Sequence, residues 1–158
     1  MAGIFVNQPI DEVVAVAEAC GLDYVQLSGA EDADYCRMVA ARSGRPVIKV
    51  VRLADPQAAA DVEAYAGAGG VALLLADAAV DGLWGGTGRA WDWRTAAGLA
   101  AHYPLLLAGG LTPENVQEAV AAVRPWGVDV ASGVETDGMT DPMKVRAFIA
   151  RTKGETIP

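Results

Sequence analysis

The stretch Val47-Ile48-Lys49-Val50-Val51 decides between the two architectures that suit this chain. In an extended strand, Lys49 shares a face with Val47 and Val51, and the two intervening residues face the other way. An open parallel sheet is covered by helices on both faces and carries apolar side chains on both. In a closed barrel, polar side chains can point inward near the catalytic end. The lysine therefore favours a (β/α) barrel.

Two other predicted strands carry a polar residue in a similar way. Gln26 lies opposite Val25 and Leu27, and Asp129 lies opposite its two valine neighbours. Apolar side chains of such strands would face the outer helices, because these helices need an apolar surface to pack on. We therefore expect Gln26, Lys49 and Asp129 to point into the interior of the barrel.

Strands alternate with helices along the whole chain, in about six repeats. The predicted strands are Ile4–Val6, Tyr24–Leu27, Val47–Val51, Val71–Leu75, Leu105–Ala108 and Val128–Val130. Thr112-Pro113 is predicted to open the helix after the fifth strand, and Asp141-Pro142 the last helix. This spacing implies right-handed crossovers and parallel pairing. Residues 1–158 are expected to form a single domain with one core.

Composition narrows the functional class. The chain is 53% hydrophobic and 20% charged, which indicates a globular protein. Its net charge of −8 argues against nucleic-acid binding, because no basic cluster is present to neutralise phosphates. A phosphorylated small molecule remains compatible, since backbone amides bind phosphate without basic side chains.

Location and cysteine usage follow from the same composition. Two cysteines, no signal peptide and no apolar run of membrane-spanning length predict a cytoplasmic protein without a membrane partner. Cys20 and Cys36 fall on apolar helix faces, and we expect both to be buried packing residues.

A glycine-rich loop followed by an aspartate is the first candidate site. Gly86 and Gly88 remove side chains where a backbone turns sharply or approaches a ligand. Asp92 then lies between Trp91 and Trp93, whose rings would desolvate the carboxyl group, raise its pKa and keep a proton available near neutral pH. Aspartate is also a common helix N-cap, and the two roles can coexist.

Two glycine-containing turns form the second candidate site. Ala108-Gly109-Gly110-Leu111 and Ala131-Ser132-Gly133-Val134 follow the last two predicted strands. Adjacent amides at such strand ends can hold a phosphate, and Ser132 can add a hydroxyl. Each motif alone is also typical of an ordinary tight turn. Their occurrence on neighbouring strands favours phosphate binding.

These segments together resemble the phosphoribosylanthranilate isomerases. The resemblance covers essentially the whole chain in order, through Gly3–Asn7, Leu22–Leu27, Gly85–Trp93, Leu107–Val116 and Gly127–Glu135. It implies a (β/α)8 barrel of the ribulose-phosphate-binding type. It also implies an Amadori rearrangement in tryptophan biosynthesis, with no cofactor and no metal.

The resemblance also implies roles for individual residues. It places the general acid on Asp92 and a supporting, inward-pointing aspartate on Asp129. The substrate and its phosphate would be held by the glycine loops, through Gly86, Gly88, Gly109, Gly110, Ser132 and Gly133.

The chain departs from the family pattern at its start. The family's general base is a cysteine in a Lys-Ile-Cys-Gly type segment on its first strand, and the sequence contains no such segment. An arginine after the family's second strand is missing with it. We therefore expect about six of the eight βα units, without the first two. Ser28 also stands where the family usually has His, and Ala131 where Ser is usual.

Three interpretations follow. The chain is an isomerase whose start is truncated or misassigned, a phosphosugar-binding barrel without catalysis, or a split barrel that needs an N-terminal complement. The first is favoured. By itself the chain is expected to be inactive and to self-associate through its open barrel edges, because unpaired strand edges are templates for association.

Overall fold

The structure is a computed structural model that describes residues 1–53, 58–77 and 93–154. Two compact units make up the chain, the first from Met1 to Leu75 and the second from Ala76 to Pro158. The expectation of one domain over residues 1–158 stays a prediction.

Strands and helices alternate in the first unit. They are β1 (Ala2–Phe5), α1 (Ile10–Ala19), β2 (Tyr24–Leu27), α2 (Ala33–Ser43), β3 (Val47–Arg52), α3 (Ala58–Ala68) and β4 (Val71–Asp77), the end of which belongs to the second unit. These strands are neighbours in chain order, and β2 pairs in parallel with β1 and with β3. The predicted α/β alternation with parallel pairing is confirmed here.

The core of the first unit lies between its strands and its helices. Among the described residues, one cluster of this core contains Phe5, Val13, Ala17, Leu22, Val25, Leu27, Cys36, Val39 and Val47. Cys36 is buried as expected, but Cys20 is exposed. The prediction for Cys20 is wrong because α1 ends at Ala19, so Cys20 lies beyond the helical face that packs on the core.

The second unit contains shorter strands. Its described elements are α4 (Trp93–Ala100), β5 (Leu105–Ala108), α5 (Val116–Val123), β6 (Gly127–Val128), a 3₁₀ helix (Ser132–Val134), β7 (Glu135–Thr136), β8 (Met139–Thr140) and α6 (Pro142–Thr152). β5 and β6 pair in parallel, with Leu107 opposite Val128. The alternation is therefore present in this unit too.

Several boundaries differ from the sequence expectation, and two of them lie next to the glycine turns. The fifth helix begins at Val116, because residues 112–115 form a turn in which the Asn115 side chain accepts a hydrogen bond from the Thr112 N–H (2.8 Å). The sixth strand ends at Val128, since the chain turns away at Ala131 into the 3₁₀ helix. The start of the last helix is confirmed: Asp141 caps α6 by accepting from the Met143 N–H (2.8 Å).

An antiparallel hairpin, β7–β8, has no counterpart in the sequence expectation. Asp137 and Gly138 join its strands, with φ angles of 53° and 76°. Positive φ at both central residues defines the turn that matches the twist of a two-residue hairpin, and Asp-Gly is a preferred pair there.

Candidate functional site

The carboxyl ends of β4, β5 and β6 carry the candidate site of the second unit. Asp77 ends β4, the Gly109-Gly110 pair follows β5, and Asp129 follows β6. The Asp129 N–H donates to the Leu107 carbonyl (2.9 Å), which fixes the chain just beyond β6 next to β5. The strand ends therefore place the two glycine turns on adjacent strands.

The first turn needs glycine at two successive positions. Gly109 has a φ of 88° and Gly110 a φ of 59°. Other residues adopt these angles at a steric cost, whereas glycine does so freely. Gly110 is exposed, so its backbone is accessible.

The second turn lies directly against the first. A Cβ atom added to Gly133 would come within 1.8 Å of the Leu111 carbonyl oxygen and 3.3 Å of the Thr112 Cα. Only a residue without a side chain allows this approach. The structure thus brings the two predicted glycine turns together, and we call Gly109, Gly110, Ser132 and Gly133 the glycine cradle.

The amides of this cradle include donors without partners. No described residue accepts a hydrogen bond from the N–H of Gly110, Ser132 or Gly133. Ser132 is also exposed, so its hydroxyl is accessible. Free N–H groups at adjacent turns are the kind of donor from which anion-binding sites are built.

Asp129 carries an altered carboxyl group beside the cradle. Partial desolvation of the carboxylate, together with the negative charge of Asp77, raises the pKa of Asp129. Both effects disfavour the charged form. Asp129 therefore holds a proton at a higher pH than an ordinary aspartate does.

Asn115 was assigned no role from the sequence. Its Oδ1 accepts from the Thr112 N–H (2.8 Å) and its Nδ2 donates to the Gly110 carbonyl (3.0 Å). Arg151, from α6, donates to the Pro113 carbonyl in the same segment (3.0 Å). The only sequence signal for this role is an asparagine five residues after Gly110. Its hydrogen bonds to Thr112 and Gly110 depend on how the turn folds.

Lys49 lies on the opposite face of the sheet from the one expected from the sequence. In the parallel register, Lys49 is opposite Leu27 and Gln26 is opposite Ile48. Opposed residues of adjacent strands point to the same face, so Lys49 and Gln26 lie on opposite faces. Lys49 shares the face of Leu27 and Val47, which pack in the helix-covered core. The prediction that Lys49 points into the barrel interior is wrong.

The Lys49 ammonium is instead held in a buried network. Its Nζ donates to Glu31 Oε2 (2.9 Å), to the Gly29 carbonyl (2.7 Å) and to the Leu27 carbonyl (3.4 Å). Lys49 and Glu31 are each 1% exposed at the side chain. No local spacing rule pairs Lys49 with Glu31, because the two residues are 18 positions apart in the sequence.

Glu31 ties this network to the end of β1. Its Oε1 accepts from the Asn7 N–H (2.8 Å), while Asn7 Oδ1 accepts from the Ala30 N–H (2.8 Å). Burial by itself raises the pKa of the Glu31 carboxyl, but the hydrogen bonds from Asn7 and Lys49 outweigh it and the pKa is lowered. Glu31 is therefore ionised at neutral pH.

The remaining predicted residues have simple placements. Gln26 is half-buried and its Nε2 donates to Ser28 Oγ (3.3 Å). Asp92, Gly86 and Gly88 lie outside the described residues. Residues 1–53, 58–77 and 93–154 contain no group of three metal-binding side chains. Within those ranges, no helix has the length and apolarity needed to span a membrane.

Comparisons with known proteins agree on one family. Residues 1–151 match the family described as "PRAI: N-(5'phosphoribosyl)anthranilate (PRA) isomerase". An N-(5'-phosphoribosyl)anthranilate isomerase of Dehalococcoides mccartyi is 43% identical over 158 residues, which cover 97% of this chain and 70% of the relative. The expected absence of the first two βα units is not supported by this match.

Solved structures show the same likeness. The crystal structure of phosphoribosyl anthranilate isomerase from Thermotoga maritima has a TM-score of 0.79 and 35% identity, and the match covers 97% of this chain and 72% of that one. A second crystal structure holds the enzyme with reduced 1-(o-carboxyphenylamino)-1-deoxyribulose 5-phosphate, at a TM-score of 0.76 and 34% identity over 97% of this chain and 71% of that one.

Proposed function

This chain belongs to the N-(5'-phosphoribosyl)anthranilate isomerase family, and we propose that it catalyses the Amadori rearrangement of that substrate. The product is 1-(2-carboxyphenylamino)-1-deoxyribulose 5-phosphate, an intermediate of tryptophan biosynthesis. Relatives that are 43% and 47% identical carry the isomerase name, which does not favour a module without catalysis. The proposed fold is a (β/α) barrel of the ribulose-phosphate-binding type.

One observation carries the proposal. The two glycine turns of the cradle lie in direct backbone contact, with the N–H groups of Gly110, Ser132 and Gly133 unpaired among the described residues. A sugar phosphate needs several donors that converge on its oxygens. The cradle provides these donors without a basic side chain, which suits a chain with a net charge of −8.

Asp92 is the proposed general acid. The reaction begins when an acid protonates the furanose ring oxygen, so that the ring opens to a Schiff base. The support comes from the sequence, in which Asp92 follows the loop of Gly86 and Gly88 and lies between Trp91 and Trp93. In this proposal the glycine loop approaches the substrate and Asp92 delivers the proton.

Asp129 is the proposed supporting acid. Its raised pKa means that it keeps a proton more readily than an ordinary aspartate, and it lies at the end of β6 beside the cradle. In this proposal Asp129 supports Asp92 from the end of β6.

The base that removes the proton from the sugar carbon is not supplied by either cysteine. Burial raises the pKa of the Cys36 thiol to about 11, so it is not a thiolate at neutral pH. Cys20 is exposed just beyond α1, on the outer helical layer. The proposal therefore assigns the base to neither cysteine.

The edge strand β6 is the basis for a proposal about self-association. Among the described strands, β6 pairs with β5 alone, and next to it Val128, Val145, Phe148 and Ile149 line a cavity of about 360 Å³. We propose that open edges of this kind allow copies of the chain to associate.

The two free cysteines fit a reducing compartment, and we place the protein in the cytoplasm.

The experiment is an isomerase assay with two preparations. The chain is assayed alone, and again with the unmatched part of the Dehalococcoides mccartyi relative added as a separate polypeptide. Turnover in either preparation supports the function. If a folded chain gives no turnover in either, the proposal is wrong.

The role of Asp92 is tested in the active preparation. Asp92→Asn should lower kcat at least about a hundredfold, the usual scale of lost acid catalysis. The matched control is Asp137→Asn, in the β7–β8 turn, which should leave kcat unchanged. An equal effect of the two substitutions would exclude Asp92 as the general acid.

A further inference from the structure

We propose that Asn115 is a positioning residue for the phosphate of the substrate: it holds the Gly110-Leu111 peptide so that the first glycine turn offers N–H groups to a phosphate, not a carbonyl oxygen. This inference rests on the proposed function, because it assumes that the glycine cradle holds the phosphate. Asn115 contacts the turn through the Gly110 carbonyl and the Thr112 N–H.

The turn cannot hold its own conformation. Gly109 and Gly110 are successive glycines, and a glycine populates positive and negative φ about equally. The peptide planes around them can therefore rotate at little cost. If the Gly110-Leu111 peptide flipped, the Gly110 carbonyl oxygen would take the side that the Leu111 N–H now occupies. The partial negative charge of this oxygen would repel a phosphate.

Asn115 restrains the planes that follow Gly110. Its Nδ2 donates to the Gly110 carbonyl (3.0 Å), which fixes the plane between Gly110 and Leu111. Because a trans peptide is planar, the Leu111 N–H then points away from Asn115. Its Oδ1 accepts from the Thr112 N–H (2.8 Å), which fixes the next plane. One side chain thus restrains two successive peptides.

The position of Asn115 is itself restrained. The residue precedes α5, and its N–H donates to the Thr112 carbonyl (3.2 Å). Arg151 holds the neighbouring Pro113 carbonyl from α6 (3.0 Å). The Leu111 carbonyl is in turn packed against Gly133, so the plane that Asn115 orients also sets the contact between the two turns.

Asparagine meets this requirement in a way that few side chains do. One amide group must offer a donor and an acceptor in the same plane at a short reach. Leucine has a similar volume and neither group. Aspartate keeps the acceptor for the Thr112 N–H and loses the donor for the Gly110 carbonyl. The two substitutions therefore separate the two hydrogen bonds.

The experiment is a titration with inorganic phosphate, followed by ¹H–¹⁵N NMR of the full chain. Asn115→Leu should raise the phosphate dissociation constant about fivefold or more, the scale of one lost hydrogen bond. Gln117→Leu is the matched control, because Gln117 is an exposed amide in α5, and its dissociation constant should equal that of the wild type. Equal affinities of Asn115→Leu and Gln117→Leu would overturn the inference.

Spectra without phosphate test the restraint directly. Asn115→Asp should move the Leu111 amide resonance, whose peptide loses its restraint, and leave the Thr112 resonance near its wild-type position. Asn115→Leu should move both. Unchanged Leu111 and Thr112 resonances in both variants would overturn the inference. A wild-type chain that shows no phosphate response would instead contradict the proposed phosphate site, which keeps the two failures distinct.

Discussion

The loops that follow the strands are held in place by different contacts in the two units. In the first unit, the loops after β1 and β2 are held by charged side chains, because Glu31 joins Lys49 to the Asn7 N–H inside the protein. In the second unit, the loops after β5 and β6 are held by backbone contact at Gly133 and by the neutral side chain of Asn115. The first arrangement pairs the N–H groups of Asn7 and Ala30 with side chains, whereas no described residue accepts from the N–H groups of Gly110, Ser132 and Gly133.

This difference indicates which end binds a ligand. Buried polar groups that are fully paired give rigidity and have no capacity left for a partner. All buried side-chain nitrogen and oxygen atoms of the described residues have a hydrogen-bond partner, including those of Lys49 and Glu31. In the glycine cradle, the N–H groups of Gly110, Ser132 and Gly133 have no acceptor among the described residues. We therefore interpret the first network as structural support and propose the glycine cradle as the phosphate site.

The largest expected effect comes from breaking the charged network. Lys49→Met removes the ammonium and leaves the Glu31 carboxylate buried without its partner, so the free energy of unfolding should fall by about 3–5 kcal/mol. Urea unfolding measures this. The control is Lys153→Met at an exposed lysine, which should change the free energy of unfolding by less than about 0.5 kcal/mol.

A double substitution separates a lost pair from lost packing. Glu31→Leu combined with Lys49→Met should recover much of the stability, since an apolar pair often replaces a buried ion pair without loss. If Lys49→Met were no more destabilising than Lys153→Met, the network would not support the first unit.

The second effect comes from breaking the contact between the glycine turns. Gly133→Ala places a Cβ within 1.8 Å of the Leu111 carbonyl oxygen, so the backbone must move apart. We expect a loss of about 1–3 kcal/mol in the free energy of unfolding, the usual cost of overpacking. Gly98→Ala in α4 is the matched control, because nothing lies within 4 Å of its added Cβ. It should stabilise the helix by about 0.5–1 kcal/mol. A stability gain for Gly133→Ala would contradict the contact.

The smallest effect is a difference in pH dependence between the two regions. The lowered pKa of Glu31 contributes stability that is present above its unfolded pKa and lost as the pH falls through its folded pKa. The raised pKa of Asp129 has the opposite sign: stability is lost as the pH rises from the unfolded pKa through the folded one.

Unfolding curves between about pH 3 and pH 7 check both signs. Glu31→Gln should flatten the fall in the free energy of unfolding on the acid side. Asp129→Asn should instead raise the free energy of unfolding at neutral pH relative to the wild type. If Asp129→Asn lowered it there, the account of the Asp129 carboxyl would be wrong.

Local patterns predicted most of the elements. The bounds of β2 and β5, the Asp141 cap of α6 and the turn after β5 agree with the sequence expectation, because they depend on apolar runs, capping residues and glycine. The hairpin at Asp137-Gly138 was readable by the same rules, since an Asp-Gly pair between short strands is a strong hairpin signal. Those parts of the fold needed no knowledge of distant residues.

Contacts between residues far apart in the sequence could not be predicted from local patterns. Alternation shows that Lys49 and Ile48 face opposite ways, but only the register with β2 shows which of them faces the helices. The partner of Lys49 lies in a loop 18 positions away. The two glycine turns were recognisable from the sequence, whereas the contact of Gly133 with the Leu111 carbonyl and the restraint by Asn115 depend on the folded backbone.

The most direct test of the central claim is a phosphate titration of the wild-type chain, read at the amides of both regions by ¹H–¹⁵N NMR. Chloride at matched ionic strength is the control for non-specific salt effects. The account predicts saturable shifts of the Gly110, Ser132 and Gly133 amides with phosphate, and unchanged resonances of Asn7 and Ala30, whose N–H groups are already paired. Equal shifts in both regions, or no saturable shift in the cradle, would contradict it.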